Sequence, residues 1–381
     1  MDPGCMEDLA FMEQAVVLAR NGLGRVDPNP LVGCVVVKDS KVIGKGWHHA
    51  FGCPHAEREA LADCRQRGND PRGATVYVTL EPCCHVGKTP PCTDALIESG
   101  IARVVVGSPD PNPLVAGKGV DQLRAAGVQV EEGVARAACD SLNKAFFKHV
   151  VTGMPRVTAK WAMTLDGKVA TRTGASRWIT GPEARMRVHQ DRASTMAVLA
   201  GVGTVLADDP LLTCRLEGQD ASCVRQPVRV VLDSHLRTPL DSALVRSAAD
   251  GTAPLLLYAL CEDANRAQAY EGFGCEVVSF AEGPSHVDVR AVLADLGARG
   301  INSVIVEGGP SVLGAFFDQG LVDAVQVYVA PKAFGGKAAP SPVAGLGVAL
   351  PDDGLRLDDV RFTRLGADLL IEGEVAACSP A

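Results

Sequence analysis

The chain has 381 residues, 47% of them hydrophobic and 22% charged, with a formal net charge of −8. That length exceeds one ordinary core, so two domains are expected, and the composition argues against disorder. Neither half is basic (residues 1–150 carry 16 basic and 18 acidic side chains), which excludes the electrostatic footprint of a duplex-binding module and points to small-molecule partners rather than nucleic acid. No apolar run approaches the roughly 20 residues that span a bilayer. The acidic start MDPGCMEDLAFMEQ lacks a signal-peptide layout, so a cytoplasmic protein with no membrane association is expected. Its thirteen cysteines read as metal ligands and buried thiols rather than disulfides.

Taken in chain order, residues 7–21 have helical spacing and end at Asn21-Gly22. LVGCVVVKDSKVIGKGWH reads as two strands around Lys38-Asp39-Ser40. HAEREALADCRQRG is a helix closed by Gly68. ATVYVTLE is a strand, CTDALIESGI a short helix, RVVVGSPD a strand, and DQLRAAGVQVEEG a further helix and strand. This is the pattern of a three-layer α/β/α domain over residues 1–150. NKAFFKHVVTGMPRVTAK reads as a helix entering a linker near Gly153-Met154-Pro155. Beyond it TMAVLAG, PVRVVLD, APLLLYAL, GCEVVSF and INSVIVEGG are short buried strands, and AVQVYVAP and RLGADLLIEGEV an antiparallel finish. A second α/β domain with a mixed sheet follows, over residues 155–378.

Three pieces carry the first domain's chemistry: Pro54-His55-Ala56-Glu57, Glu81-Pro82-Cys83 and Pro90-Pro91-Cys92. One imidazole and two thiolates suit a zinc ion whose fourth position stays open for water, and zinc lowers that water's pKa to about 7. A carboxylate beside it must then move the protons, the role of Glu57. His55 and Glu57, two apart at a helix start, diverge in direction. Cys92 opens a helix after two prolines, where the helix N-terminus favours a thiolate. The general signature of zinc nucleobase deaminases is H-x-E followed by P-C-x-x-C. Here Val86 stands where the close second cysteine would be, and the next falls at Cys92. A closed structural zinc site, with Cys84 or His85 as fourth ligand, is the alternative reading; two adjacent residues rarely reach one tetrahedral metal together.

EPCCHVGKTPPC, with PNPLVG, HAE and DPNPLVAGKG, resembles the deaminase domain of the bifunctional riboflavin-biosynthesis deaminase–reductases. The resemblance implies zinc on His55, Cys83 and Cys92, Glu57 as proton shuttle, and a cytidine-deaminase-like fold. It departs at Cys84, where serine is usual, and at Val86, where a larger side chain is common. His48 matches a substrate-contacting histidine of the family, with a plain surface role as its alternative. Asn29, between prolines, suits a ring-contacting role or a turn.

In the second domain, AGVGTVLADDP holds only a Gly-x-Gly, short of a dinucleotide fingerprint. VIVEGGPSVLGAFFD is a buried strand, two glycines and a helix opening at Pro310-Ser311, which is either a phosphate cradle or an ordinary turn. KWAMTLDGKVA, SRWITG, TVLADDPLLTCR and VEGGPSVLGAFF resemble the reductase half of the same family, which has a dihydrofolate-reductase-like fold and uses NADPH. The resemblance implies cofactor contacts at Ala162, Trp178, Thr204, Asp208, Ser234 and the run Gly309, Pro310, Ser311, Val312, Leu313, Gly314 and Ala315. It implies substrate contacts at Ser176, Arg192, Leu212, Arg215 and Glu307. Arg192 and Arg215 could grip a ribose phosphate bidentately, and Trp178 could offer a flat face to a cofactor ring; surface arginines and a core tryptophan are the alternatives. Lys160 lies in the matching strand and would position or protonate the opened sugar.

The activity implied is zinc-dependent deamination of a phosphoribosylated diaminopyrimidinone, then NADPH-dependent reduction of its ribosyl chain, by a homo-oligomer, dimer or tetramer. The competing readings are a tRNA-type deaminase fused to an unrelated domain and a non-catalytic nucleotide-binding regulator. The acidic first half and the long Cys83–Cys92 gap oppose the former, and the retained Glu57 and ligand set oppose the latter.

Overall fold

The computed structural model describes residues 3–85, 90–113, 115–218, 224–260, 263–280 and 285–376. Val86, Leu114 and the last two residues of the expected 155–378 domain lie outside the described residues. The chain divides into two compact units, Met1–Met154 and Pro155–Ala381.

The first unit is a five-stranded sheet, order β2-β1-β3-β4-β5, between two helical layers. Its strands are β1 (Gly33–Lys38), β2 (Lys41–Trp47), β3 (Thr75–Leu80), β4 (Arg103–Ser108) and β5 (Gln129–Glu132). β1 and β2 form a hairpin in which Asp39 and Ser40 take positive φ of 49° and 56°; this turn matches the twist of the strands it joins. From β3 onward the pairing is parallel. Strand alternation sorts the core into two faces. Val35, Val37, Tyr77 and Val105 pack with Phe11, Met12 and Ala15 of α1 (Pro3–Ala19). Cys34, Val36, Val76, Val78, Val104 and Val106 pack against the helices α2 (Ala56–Gln66), α3 (Cys92–Glu98) and α4 (Lys118–Ala125). Two glycines set how closely α2 approaches β2: a Cβ at Gly46 would stand 2.3 Å from the Ala56 carbonyl, and one at Gly44 2.2 Å from the Cys64 sulfur. The helix that begins beside His55 is thereby held against the sheet. Two further helices, α5 (Arg136–Leu142) and α6 (Lys144–Thr152), complete the unit. α6 stops at Gly153, whose φ of 73° is the left-handed helix cap that glycine accepts freely.

The second unit is a nine-stranded sheet in the order β10-β9-β8-β7-β11-β6-β12-β14-β13. Its parallel part comprises β6 (Arg156–Thr164), β7 (Ala197–Gly201), β8 (Val228–Leu232), β9 (Leu255–Ala259), β10 (Glu276–Ser279), β11 (Ser303–Val306) and β12 (Ala324–Ala330). β13 (Leu357–Leu365) and β14 (Asp368–Val375) close it with antiparallel pairs. The mixed sheet is as expected. β13 has no counterpart among the strands read from the sequence, because it is an edge strand with most residues exposed and therefore shows no apolar run. Helices α7 (Pro182–Ala193), α8 (Val202–Asp208), α9 (Ala243–Ala249), α10 (Ala264–Glu271), α11 (Val289–Ala298) and α12 (Pro310–Asp318) connect the parallel strands.

Candidate active sites

In the first unit the N-terminus of α2 and the segment after β3 line a cavity of about 290 Å³. His55 caps α2 and Cys92 opens α3. One ligand atom each from His55, Cys83 and Cys92 lies within 4.8 Å of the others, and the His55 Nδ1 is 3.5 Å from the Cys83 sulfur and 3.4 Å from that of Cys92. Cys83 is further tied to α3 by its carbonyl, which accepts from the Cys92 and Thr93 N–H groups at 3.0 and 3.2 Å. The contact with Cys92 lowers the Cys83 thiol, and the same contact, with burial, raises Cys92; the pair holds one thiolate readily and gains the second on metal binding. Cys84 and His85 are not in the cluster. Soft thiolates and an imidazole with room for a fourth ligand fit zinc.

Glu57 lies in the first turn of α2, 3% exposed, and lines the same cavity. Burial raises its carboxyl to about 7, and Cys83 pushes the same way. His48 and Asn29 also line the cavity. The His48 Nδ1 lies 3.1 Å from the Pro54 carbonyl, which can only accept, so Nδ1 carries the proton. Nε2 is then free to accept from the Asn29 amide at 3.3 Å. Burial, the largest influence, lowers the His48 pKa and agrees with this neutral tautomer.

Glu81 escaped the sequence reading. Its buried carboxylate accepts from the backbone N–H groups of Asp110, Gly117, Gly119 and Val120 at 3.0–3.3 Å. It thus caps the start of α4 and anchors the residues leading into Cys83. Gly119 is required there, since a Cβ would stand 2.1 Å from the Pro82 carbonyl. The signal was present in Gly117-Lys118-Gly119 but has meaning only once the two segments are adjacent. Asp110, 7% exposed, lines the cavity too, with burial raising its carboxyl to about 6.

In the second unit a larger cavity, about 790 Å³, lies along the carboxyl ends of the parallel strands, where open α/β sheets bind ligands. Lys160 and Ala162 come from β6, Thr204 and Asp208 from α8, Ser234 from the loop after β8, and Glu307 to Leu313 with Ala315 from the turn into α12. Backbone lies bare in its wall: a Cβ on Gly203 would meet nothing within 4 Å, and one on Gly309 only the Thr204 hydroxyl at 3.7 Å. Bare amides at the start of α12 and a long cleft fit a dinucleotide. Glu307 is a fully engaged carboxylate. Arg192 meets it bidentately at 2.7 and 2.9 Å, and Lys160 adds a contact at 3.2 Å. Burial alone would raise its pKa, but Arg192 and Lys160 outweigh burial and hold it far below the usual range. Ser176 lines the cavity and donates to Asp208 at 2.7 Å.

Several expected residues lie elsewhere. Trp178 is 63% exposed and outside the cavity lining, with the Arg185 and Arg177 guanidinium groups 4.7 and 5.6 Å from its ring centre; these cations occupy the face expected for a cofactor ring. Gly314 is turned from the cavity, since a Cβ on it would stand 2.3 Å from the Ala344 carbonyl. Leu212 is 3% exposed and packs in the core with Val231 and Leu236. Arg192 spends its remaining reach on the Thr213 carbonyl at 2.9 Å. Arg215 is also outside the lining; it donates to the Thr213 hydroxyl at 3.0 Å and lies 3.3 Å from His189 Nε2. His189, absent from the sequence reading, accepts from the Arg215 N–H through Nδ1.

Comparison with known proteins agrees with both sites. Residues 6–108 match the cytidine and deoxycytidylate deaminase zinc-binding region, and residues 155–371 match the RibD C-terminal domain. Riboflavin biosynthesis protein RibD of Actinobacillus pleuropneumoniae is 45% identical over 367 residues, 96% of this chain and 95% of the relative. The protein of the same name from Bacillus amyloliquefaciens is 44% identical over 94% of each. Among solved structures, Acinetobacter baumannii RibD aligns with a TM-score of 0.87 at 37% identity, over 98% of this chain and 100% of that one. A Thermotoga maritima diaminohydroxyphosphoribosylaminopyrimidine deaminase/5-amino-6-(5-phosphoribosylamino)uracil reductase aligns at 0.84 and 39%, with the same coverage. The first unit is cytidine-deaminase-like and the second dihydrofolate-reductase-like, as the motifs implied. Near-complete coverage in both directions, with both halves matched in the same order, makes this chain a member of the RibD family of riboflavin-biosynthesis proteins.

Proposed function

We infer that this chain performs two steps of riboflavin biosynthesis, each in its own unit. The first converts 2,5-diamino-6-(5-phosphoribosylamino)pyrimidin-4(3H)-one to 5-amino-6-(5-phosphoribosylamino)uracil with release of ammonia. The second reduces the ribosyl chain to ribityl with NADPH. The observation that carries this reading is the convergence of His55, Cys83 and Cys92 at a cavity lined by His55, Cys83 and the buried Glu57, on a chain that holds a separate dinucleotide-sized cleft.

In the first site His55, Cys83 and Cys92 hold zinc, which when bound supplies a hydroxide near neutral pH. Glu57 takes one proton of the attacking water and delivers it to the ring nitrogen, then takes the second proton from the newly added hydroxyl and delivers it to the departing amine. Asn29 and His48 form a pre-oriented pair for the pyrimidine ring, since the Pro54 carbonyl fixes the His48 tautomer. In the second site the cleft that Ala162, Thr204, Asp208, Ser234 and Gly309 to Leu313 line would hold NADPH, whose chemistry when bound would be hydride donation to C1 of the opened sugar. Lys160, held at 3.2 Å by Glu307, is the side chain placed to hand a proton to the opened sugar. Because Arg192 is already neutralised by Glu307, gripping the phosphate falls to Arg215, whose guanidinium has no acidic partner among the described residues. The enzyme works in the cytoplasm as a homo-oligomer; no described helix is long and apolar enough to cross a membrane. A nucleic-acid deaminase is not favoured, because both halves are acidic and residues 155–371 match the RibD C-terminal domain rather than an unrelated one.

The test supplies purified protein with the diaminopyrimidinone phosphate and follows ammonia release and NADPH oxidation, with RNA as control. Both signals on the pyrimidine and none on RNA are expected. Ammonia from RNA, or no ammonia from the pyrimidine, would overturn the reading.

A further inference from the structure

We propose that Arg58 is a positioning residue for the zinc site: its guanidinium fixes the arm that delivers Cys92 and so sets how tightly the metal is held. The proposal rests on the assignment of His55, Cys83 and Cys92 as the zinc ligands.

The three ligands reach the cluster by different routes. His55 is the N-cap of α2, which is pressed against β2 at Gly44 and Gly46. Cys83 follows β3 closely, and its approach is anchored through Glu81. Cys92 opens α3 behind the dipeptide Pro90-Pro91. Proline has no N–H, so hydrogen bonds can hold this dipeptide only through its two carbonyls. Arg58 supplies a donor to each: Nε meets the Pro90 carbonyl at 3.2 Å and Nη2 the Pro91 carbonyl at 2.9 Å. Pro91 is the N-cap of α3, with φ −51° and ψ 143°. A donor on its carbonyl therefore fixes the direction in which α3, and Cys92 with it, leaves the arm.

This grip closes a triangle. The Cys92 and Thr93 N–H groups donate to the Cys83 carbonyl at 3.0 and 3.2 Å, which ties the two thiols together but not to the imidazole. Arg58 stands on the helix that His55 caps, in the same first turn as Glu57, so its two bonds tie the Cys92 arm to the His55 side. One residue along a helix turns the side chain by about 100°. Glu57 lines the cavity, and Arg58, the next residue, does not; it acts on the site through Cys92 and not on the substrate. Its charge is also undivided. Glu59 faces His49 at 3.7 Å, and Asp94 of α3 accepts from the Gln122 amide at 2.7 Å. Among the described residues no acid meets Arg58, so the full guanidinium charge strengthens the two carbonyl contacts.

The test uses the whole protein stripped of zinc by dialysis against a chelator. Zinc affinity is read by competition with a chromophoric chelator, and zinc release is timed after mixing the loaded protein with excess chelator. Arg58→Met keeps an unbranched stem and removes both donors; it should weaken zinc about tenfold or more and speed release to match. Arg58→Lys, with one ammonium in place of a fork, should fall between Arg58→Met and the parent. The melting temperature of the zinc-free protein should stay within about 2 °C of the parent in both variants, which separates ligand positioning from general stability. Affinity and release within about twofold of the parent in Arg58→Met would overturn the proposal. So would a zinc deficit that appears only together with a lower melting temperature of the zinc-free protein. If the parent takes up no zinc, the ligand assignment fails and this proposal fails with it.

Discussion

The two cavities solve different problems with different economies of sequence. The deaminase site is small, about 290 Å³, and its reacting groups come from three short motifs within 38 residues, His55 to Cys92. The reductase site is about 790 Å³, and its lining runs from Lys160 to Pro342. A metal-centred site needs a few donors at fixed distances, and two helix N-termini held on one sheet supply them. A dinucleotide cleft needs length, which only the ends of several parallel strands provide. One altered atom should therefore be ruinous in the first site and graded in the second.

The largest effects are expected at the first site. Cys83→Ser or Cys92→Ser should lose zinc and deamination, whereas Cys84→Ser keeps both, because only the first two point into the cluster. Atomic absorption beside ammonia release decides this, and zinc loss in a folded Cys84→Ser protein would break the three-ligand assignment. Glu57→Gln should retain zinc but lose at least about 10²-fold in deamination, since an amide cannot relay protons; near-normal turnover would place the shuttle elsewhere.

A graded effect is expected at the second site. Arg215→Ala should raise KM for the aminouracil substrate by about tenfold, through loss of a charge-assisted contact, and spare ammonia release. Paired assays on one preparation read both, and equal losses would dissolve the contrast between the units.

The smallest effect concerns pH. Burial, then Arg192 and Arg215, lower the His189 pKa from 6.5 to about 4. A group whose folded pKa lies below its unfolded value contributes stability above pH 6.5 that is lost as pH falls toward 4. His189→Gln should therefore flatten the acid side of the melting curve between those values, with about 2–4 °C gained at the low end for each kcal/mol recovered. Parallel curves for variant and parent would show that His189 carries no such penalty.

Local periodicity was enough for most elements. The hairpin at Asp39-Ser40, the helices starting beside His55 and at Cys92, and most strands of both sheets, the exposed edge strand β13 excepted, follow from alternation, caps and turn residues whose causes lie within a few positions. The zinc set was legible because each ligand sits in a distinctive short motif. What only the tertiary structure decided depends on residues far apart. Glu81 became an anchor when Gly117 and Gly119 were brought to it. Arg192 proved to be committed to Glu307, 115 residues away. Trp178 lies outside the cleft lining, its ring beside the Arg185 guanidinium. Each is a contest between partners for one charge, one ring or one set of backbone N–H groups. Sequence names the contestants, but the winner depends on distances set by the packing of strands and helices that no local pattern encodes.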